Sequence, residues 1–134
     1  MRERVVYLKT HPAAARHNPE WFRDALGLPE AQFRTVRVPE EGVPRDVFEA
    51  AGVIIGGSSH SVNEDLPWML ELEDFARARI ARDRALIGVC FGHQLISKAL
   101  GAPVMMNPPG WELGVENVRP VAAGSPYQFG LMYL

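Results

Sequence analysis

Ala85-Leu86-Ile87-Gly88-Val89-Cys90-Phe91-Gly92-His93-Gln94-Leu95-Ile96-Ser97-Lys98-Ala99-Leu100 is the stretch that decides the fold. It opens as a short apolar run, Ala85 to Val89, which reads as a buried strand. It closes as an amphipathic helix with Phe91, Leu95, Ile96, Ala99 and Leu100 on one face. The chain's one cysteine sits at the junction, two residues after Gly88 and two before Gly92. Gly-x-Cys-x-Gly at a strand-to-helix turn is the nucleophile-elbow pattern with sulfur in place of oxygen. The chemistry needs these residue types. A sharp turn forces the nucleophile into a strained backbone conformation, and flanking side chains would collide, so glycines stand there. The thiol then lies at a helix N-terminus, where free N–H groups favour the reactive anion. The N–H of Phe91 points to where an oxyanion would develop. A lone cysteine can also be a buried structural residue, but the two glycines at elbow spacing weigh against that.

Upstream, Val53-Ile54-Ile55 reads as a fully apolar strand ended by Gly56-Gly57, a place where backbone can approach a ligand closely. Ser58, Ser59, His60 and Ser61 follow in a polar loop, which lies near Cys90 if the two strands are neighbours. Asp65-Leu66-Pro67 opens a helix, with Asp65 or Asn63 expected as its cap. Trp68, Met69, Leu72, Phe75, Ala76 and Ile80 keep the helical period, and Arg77, Arg79, Arg82 and Arg84 read as a solvated face.

Val5-Val6-Tyr7-Leu8 reads as the first strand. His11 and His17 lie in the loop that follows and read as surface residues rather than metal ligands. Asn18-Pro19-Glu20 looks like a helix start, with Trp21, Phe22, Ala25 and Leu26 as the inner stripe and Gly27 beyond the end. Phe33 to Val38 alternates apolar and polar, as a strand near a sheet edge does. Pro39 to Pro44 is a connector, and Asp46 to Ala50 a single helical turn. After the elbow helix, Gly101 caps and Pro103 stops. Val104 to Met106 and Gly114 to Val121 read as paired strands around a turn, and Gln128 to Leu134 as the start of another. Strands alternating with helices predict an α/β fold: a doubly wound, mostly parallel sheet flanked by helices. Reactive groups in such sheets gather at the carboxyl ends of strands, where Gly57 and Cys90 both fall.

The 134 residues suit one domain, 1–134. A composition 47% hydrophobic and 22% charged is that of a globular chain. The net charge of −2 gives no basic field for nucleic acid or a membrane surface. Met1-Arg2-Glu3-Arg4 runs straight into a short strand, without a signal peptide's long apolar region. One cysteine excludes an internal disulfide, which fits a cytoplasmic location.

Gly88-Val89-Cys90-Phe91-Gly92-His93-Gln94 resembles the signature of the class I glutamine amidotransferases over seven consecutive positions. Val53 to Ser58 resembles that family's oxyanion strand and Gly-rich turn. Ser61 to Leu72 and Pro109 to Gly114 look like its free-standing, GMP-synthase-like branch. The resemblance covers Val53 to Leu134 well and the first fifty residues loosely. It implies the flavodoxin-like fold of that family and an enzyme that hydrolyses the side-chain amide of L-glutamine through a cysteinyl thioester, without a cofactor or metal. Cys90 would be the nucleophile and the N–H groups of Gly57 and Phe91 the oxyanion donors. Gln94, Gly56, Ser58, Trp111 and Glu112 would line the glutamine site, with Gly88, Gly92 and His93 supporting the motif. Ammonia would pass to an acceptor or synthase partner that the sequence does not name.

The family's base, a His two positions before a Glu or Asp after a late strand, has no counterpart in this sequence, so the domain reads as C-terminally incomplete. His60 is the best placed substitute. The alternative is a catalytically impaired or non-catalytic member, an interaction module with an oxidisable Cys90. The elbow-cysteine DJ-1/PfpI group is disfavoured, because it carries His directly after the Cys where this chain has Phe91. An incomplete sheet would leave an apolar edge, so self-association is expected.

Overall fold

The computed structural model describes residues 4–12 and 18–111. They include a parallel sheet of four strands, β1 (Val5–Lys9), β2 (Phe33–Arg37), β3 (Gly52–Ile55) and β4 (Leu86–Gly88), in the order β2-β1-β3-β4. The helices are α1 (Glu20–Ala25), α2 (Val38–Glu41), α3 (Pro67–Ala81) and α4 (Phe91–Ala99). The α/β class and parallel winding are those expected from the alternation of strand and helix patterns. The described residues up to Val104 belong to one compact unit and those from Met105 to another. No described helix is long and apolar enough to cross a membrane.

The order of the strands matters for function. From β1 the chain goes to β2 on one side, then returns to β3 on the other. The carboxyl ends of β1 and β3 therefore flank the topological switch point, where open α/β sheets form a crevice. Register brings Leu8 beside Ile55, and Ile55 beside Gly88, so three strands end together.

β1 and β3 are apolar because they are central. Val6, Leu8, Val53 and Ile55 pack on one face against Met69, Leu72 and Ala76 of α3 and Phe91, Leu95 and Ala99 of α4. Each of these Val, Leu, Ile, Met and Phe side chains contributes about 1.5–3 kcal/mol when fully buried. On the other face Tyr7 is wholly buried, its ring 5.1 Å from that of Phe22 and 6.4 Å from that of Phe33. Among the described residues β2 is an edge strand, as its alternating sequence predicts.

Several local expectations are corrected. β4 is three residues long, and Ile87 is 55% exposed, because among the described residues β4 pairs on one side only. In α1 no residue is buried; Trp21 and, just past its end, Leu26 face solvent, and the Phe22 ring meets Tyr7 of the sheet. Pro19 precedes α1, while the Asn18 side chain accepts from the Glu20 N–H at 3.2 Å. The connector after β2 holds the single turn α2. Neither Asp65 nor Asn63 caps α3. Leu66 holds that position, with Pro67 at the first helical one, and Asn63 donates to the Val104 carbonyl at 2.8 Å. Ile80 and Leu100 are exposed. Arg79, expected on the solvated face, is fully buried. Val104 to Met106 is not a strand. The strands expected over 114–121 and 128–134, and His17, lie outside the described residues.

Candidate active site

The elbow is stitched to the end of β3. The Val89 N–H donates to the Ile55 carbonyl at 2.9 Å, and the Gly92 N–H donates to the Gly56 carbonyl at 3.1 Å. Between those two bonds the chain must reverse into α4, and Cys90 takes the strain, with φ 55° and ψ −110°. Few non-glycine residues are held at positive φ unless their surroundings enforce it. The flanking glycines are required by contact. A Cβ at 92 would stand 2.0 Å from the Ile55 carbonyl oxygen, and one at 88 would stand 2.5 Å from the Gly92 carbonyl group. Cys90 itself is exposed, immediately before α4. The Phe91 N–H belongs to the first turn of α4, whose N–H groups have no partner within the helix.

Gly57 lies against Cys90. A Cβ at this position would lie 3.7 Å from Cys90 Cβ and 3.7 Å from His11 Nε2, so the two side chains flank it. The loops that carry these groups are tied together. Thr10, fully buried, donates from Oγ1 to the Gly57 carbonyl at 2.8 Å and lies 3.3 Å from that of Gly56. The Ser58 hydroxyl donates to the Thr10 carbonyl at 2.9 Å and accepts from the His60 N–H at 3.2 Å. Gly56 is buried over Tyr7, whose hydroxyl would be 1.9 Å from a Cβ at 56.

His11 is the residue that sequence reading missed. Expected at the surface, it is half-buried beside Gly57. Its pKa is lowered, first by burial, then by the charges of Lys9 and His60, so the imidazole is neutral at neutral pH. The signal that could have found it is its place two residues beyond β1, at the switch point. That place is visible only once β1 is known to lie beside β3.

His60 makes a different set of contacts. Its Nδ1 lies 3.1 Å from Glu64 Oε2, and an ionised carboxylate only accepts, so Nδ1 carries the hydrogen. Glu64 is itself fixed by the Ser61 N–H at 2.7 Å, in a capping box. The His60 ring stands edge-on to Trp68 (centroids 5.7 Å apart), and Trp68 lies 5.8 Å from Phe91. His60 is thus an oriented imidazole on the loop after β3.

His93 and Gln94 are exposed on α4, and the Gln94 N–H donates to the Cys90 carbonyl at 3.1 Å. Trp111 belongs to the unit that begins at Met105 and is exposed rather than packed in a core. Glu112 lies outside the described residues. The geometry therefore gathers Cys90, Gly56, Gly57, Ser58 and Phe91, adds His11, and sets His60 nearby. A thiol raised on a strained turn, with a glycine backbone beside it, is equipped for covalent attack on a carbonyl carbon.

Comparison with known proteins bears on what such a thiol does. Residues 21–125 match the family Glutamine amidotransferase class-I. A glutamine amidotransferase-like protein of Schizosaccharomyces pombe is 35% identical over 111 residues, 81% of this chain and 45% of that protein. Gamma-glutamyl peptidase 4 of Arabidopsis thaliana is 34% identical over 99 residues, 72% of this chain and 39% of its own length. The chain thus spans less than half the length of these relatives. A crystal structure of a glutamine amido transferase from Methylobacillus flagellatus superposes with a TM-score of 0.66 at 27% identity, covering 84% of this chain and 44% of that one.

Proposed function

The chain belongs to the class I glutamine amidotransferase family, and from that premise we propose that Cys90 is the nucleophile of an amide-cleaving site for γ-glutamyl groups. The observation that carries the reading is the positive φ of Cys90, held beside Gly57 at the start of α4. Strain of this kind persists where the surroundings over-determine it, and it raises the sulfur clear of its own backbone.

The reaction follows from the parts. The Cys90 thiolate attacks the side-chain carbonyl carbon of the glutamyl group, forming a C–S bond. The carbonyl oxygen takes the negative charge and is held by the N–H groups of Gly57 and Phe91. Collapse breaks the C–N bond, and the nitrogen leaves as ammonia or an amine, taking from the base the proton that the thiol gave up. Water then cleaves the thioester, giving glutamate and the free thiol. Gln94 and Ser58 are proposed to contact the substrate. The base lies outside the residues assigned here.

Two leaving groups are compatible with this site. The amidotransferase relatives favour glutamine, with ammonia passed to an acceptor or synthase partner. The Arabidopsis relative's name favours a γ-glutamyl peptide bond. A glutamine-shaped diazoketone, 6-diazo-5-oxo-norleucine, tests the shared step. Saturable labelling is expected on Cys90, and Cys90→Ala should abolish it. Labelling no faster than that of an unrelated protein thiol would sink the reading. Ammonia release from glutamine, set against amine release from a γ-glutamyl dipeptide, then separates the two leaving groups.

A further inference from the structure

The reading of Cys90 as a nucleophile leaves the opposite wall of its cleft without a role, and that wall is built. β1 and β3 flank the switch point of the sheet, and their carboxyl ends carry His11 and Gly57. The β1 end is not a loose loop. Thr10 is wholly buried and holds the Gly57 carbonyl, while Ser58 reaches back to the Thr10 carbonyl. These crossed hydrogen bonds set His11, the next residue, against the Cα of Gly57. Its Nε2 stands as far from the missing Cβ of residue 57 as Cys90 Cβ does, 3.7 Å in each case. An acyl group lying over Gly57 beside Cys90 also lies beside that nitrogen.

We propose that His11 is a substrate-contacting residue of the Cys90 site, its imidazole hydrogen-bonding the γ-glutamyl substrate where it lies over Gly57. This rests on the assignment of Cys90 above. Burial, the charge of Lys9 at the end of β1 and that of His60 all act to keep the His11 ring neutral. A neutral imidazole offers one N–H donor and one acceptor, which suits an amide. It adds no positive charge to a cleft that must admit a zwitterionic amino acid.

The role separates from a structural one through the kinetics of labelling by 6-diazo-5-oxo-norleucine. In His11→Leu the KI of saturable labelling should rise about fivefold or more, as expected for one lost hydrogen bond. The maximal rate, and the rate with the small reagent iodoacetamide, should stay within about twofold, because the thiol itself is unchanged. His11→Gln, which keeps a polar atom near the place of Nε2, should restore much of the affinity. An unchanged KI in His11→Leu, or a His11→Gln variant as weak as His11→Leu, overturns the proposal. Should His11→Leu fail to fold, His11→Asn withdraws the polar atom while staying hydrophilic. A raised KI there supports the proposal and an unchanged one overturns it. A wild-type chain without saturable labelling defeats the Cys90 reading, and this proposal with it.

Discussion

Two glycines beside Cys90 differ in what they tolerate. Gly92 has the Ile55 carbonyl oxygen 2.0 Å from where its Cβ would be, and backbone cannot retreat as a side-chain tip can. Gly92→Ala should therefore destabilise the chain by about 3 kcal/mol or more, read as a fall in urea midpoint, and should disrupt the elbow. Gly57 stands apart. Its added Cβ meets Cys90 and His11 at ordinary van der Waals distance, and its φ lies outside the left-handed region. Gly57→Ala should fold with a midpoint within about 0.5 kcal/mol of wild type. It should react normally with iodoacetamide, yet lose labelling by the glutamine-shaped reagent, because the methyl occupies the floor between sulfur and imidazole. A Gly57→Ala chain that binds that reagent unchanged would remove Gly57 from the substrate path. Both glycines of the elbow were legible in the sequence from their spacing about Cys90. His11 was not, since nothing in Lys9-Thr10-His11 marks the residue as facing a cysteine 79 positions away.

At the scale of elements, α3 shows residue type and helical period in conflict: Arg79 follows Met69, Leu72 and Ala76 on the buried face. Arg79 falls among arginines and scores as surface, yet it is buried and its guanidinium meets four backbone carbonyls. Nη1 donates to Phe48 at 2.8 Å, with Val47 and Ala50 at 3.4 and 3.3 Å. Nη2 donates to Ala85 at 2.7 Å and Ala50 at 3.2 Å. These carbonyls lie just before β3 and β4. Arg79 thus fastens the amino ends of the two strands whose carboxyl ends carry Gly57 and Cys90. Burial lowers its pKa, with Arg84 adding to the effect, and the surrounding carbonyls offset the desolvation. Arg79→Ala should cost roughly 3–5 kcal/mol in urea unfolding, because several buried acceptors lose their donor at once. Arg79→Lys, with one compact ammonium, should recover less than half of that. A loss below 1 kcal/mol for Arg79→Ala would mean that the loops are held by other means.

The whole molecule answers to pH through groups that no single element explains. Tyr7 lies at the centre of the sheet, under Gly56 and against Phe22 and Phe33, and burial pushes its pKa up to about 12. The folded chain then holds the phenol proton after an unfolded one has released it near pH 10. This stability is complete below pH 10 and is lost as pH rises toward 12. Lys98 acts in the same direction: its hydrogen bond to Asp65 raises its pKa, and its contribution also fades above the ordinary lysine value. Tyr7→Phe should lose about 2 kcal/mol less than wild type between pH 9 and 12, measured by urea midpoints. Equal slopes would show that the phenol ionises alike in both states. The sequence by itself determined the winding of the sheet, because apolar runs of strand length alternate with helical periods. It also determined the elbow, because glycines two residues either side of a cysteine have few other uses. The tertiary structure alone decided which loops meet. The order β2-β1-β3-β4 places Thr10 and His11 beside Gly57, turns Arg79 inward and leaves Ile87 exposed. Strand order is set by packing over the whole chain, and no local window of residues carries that information.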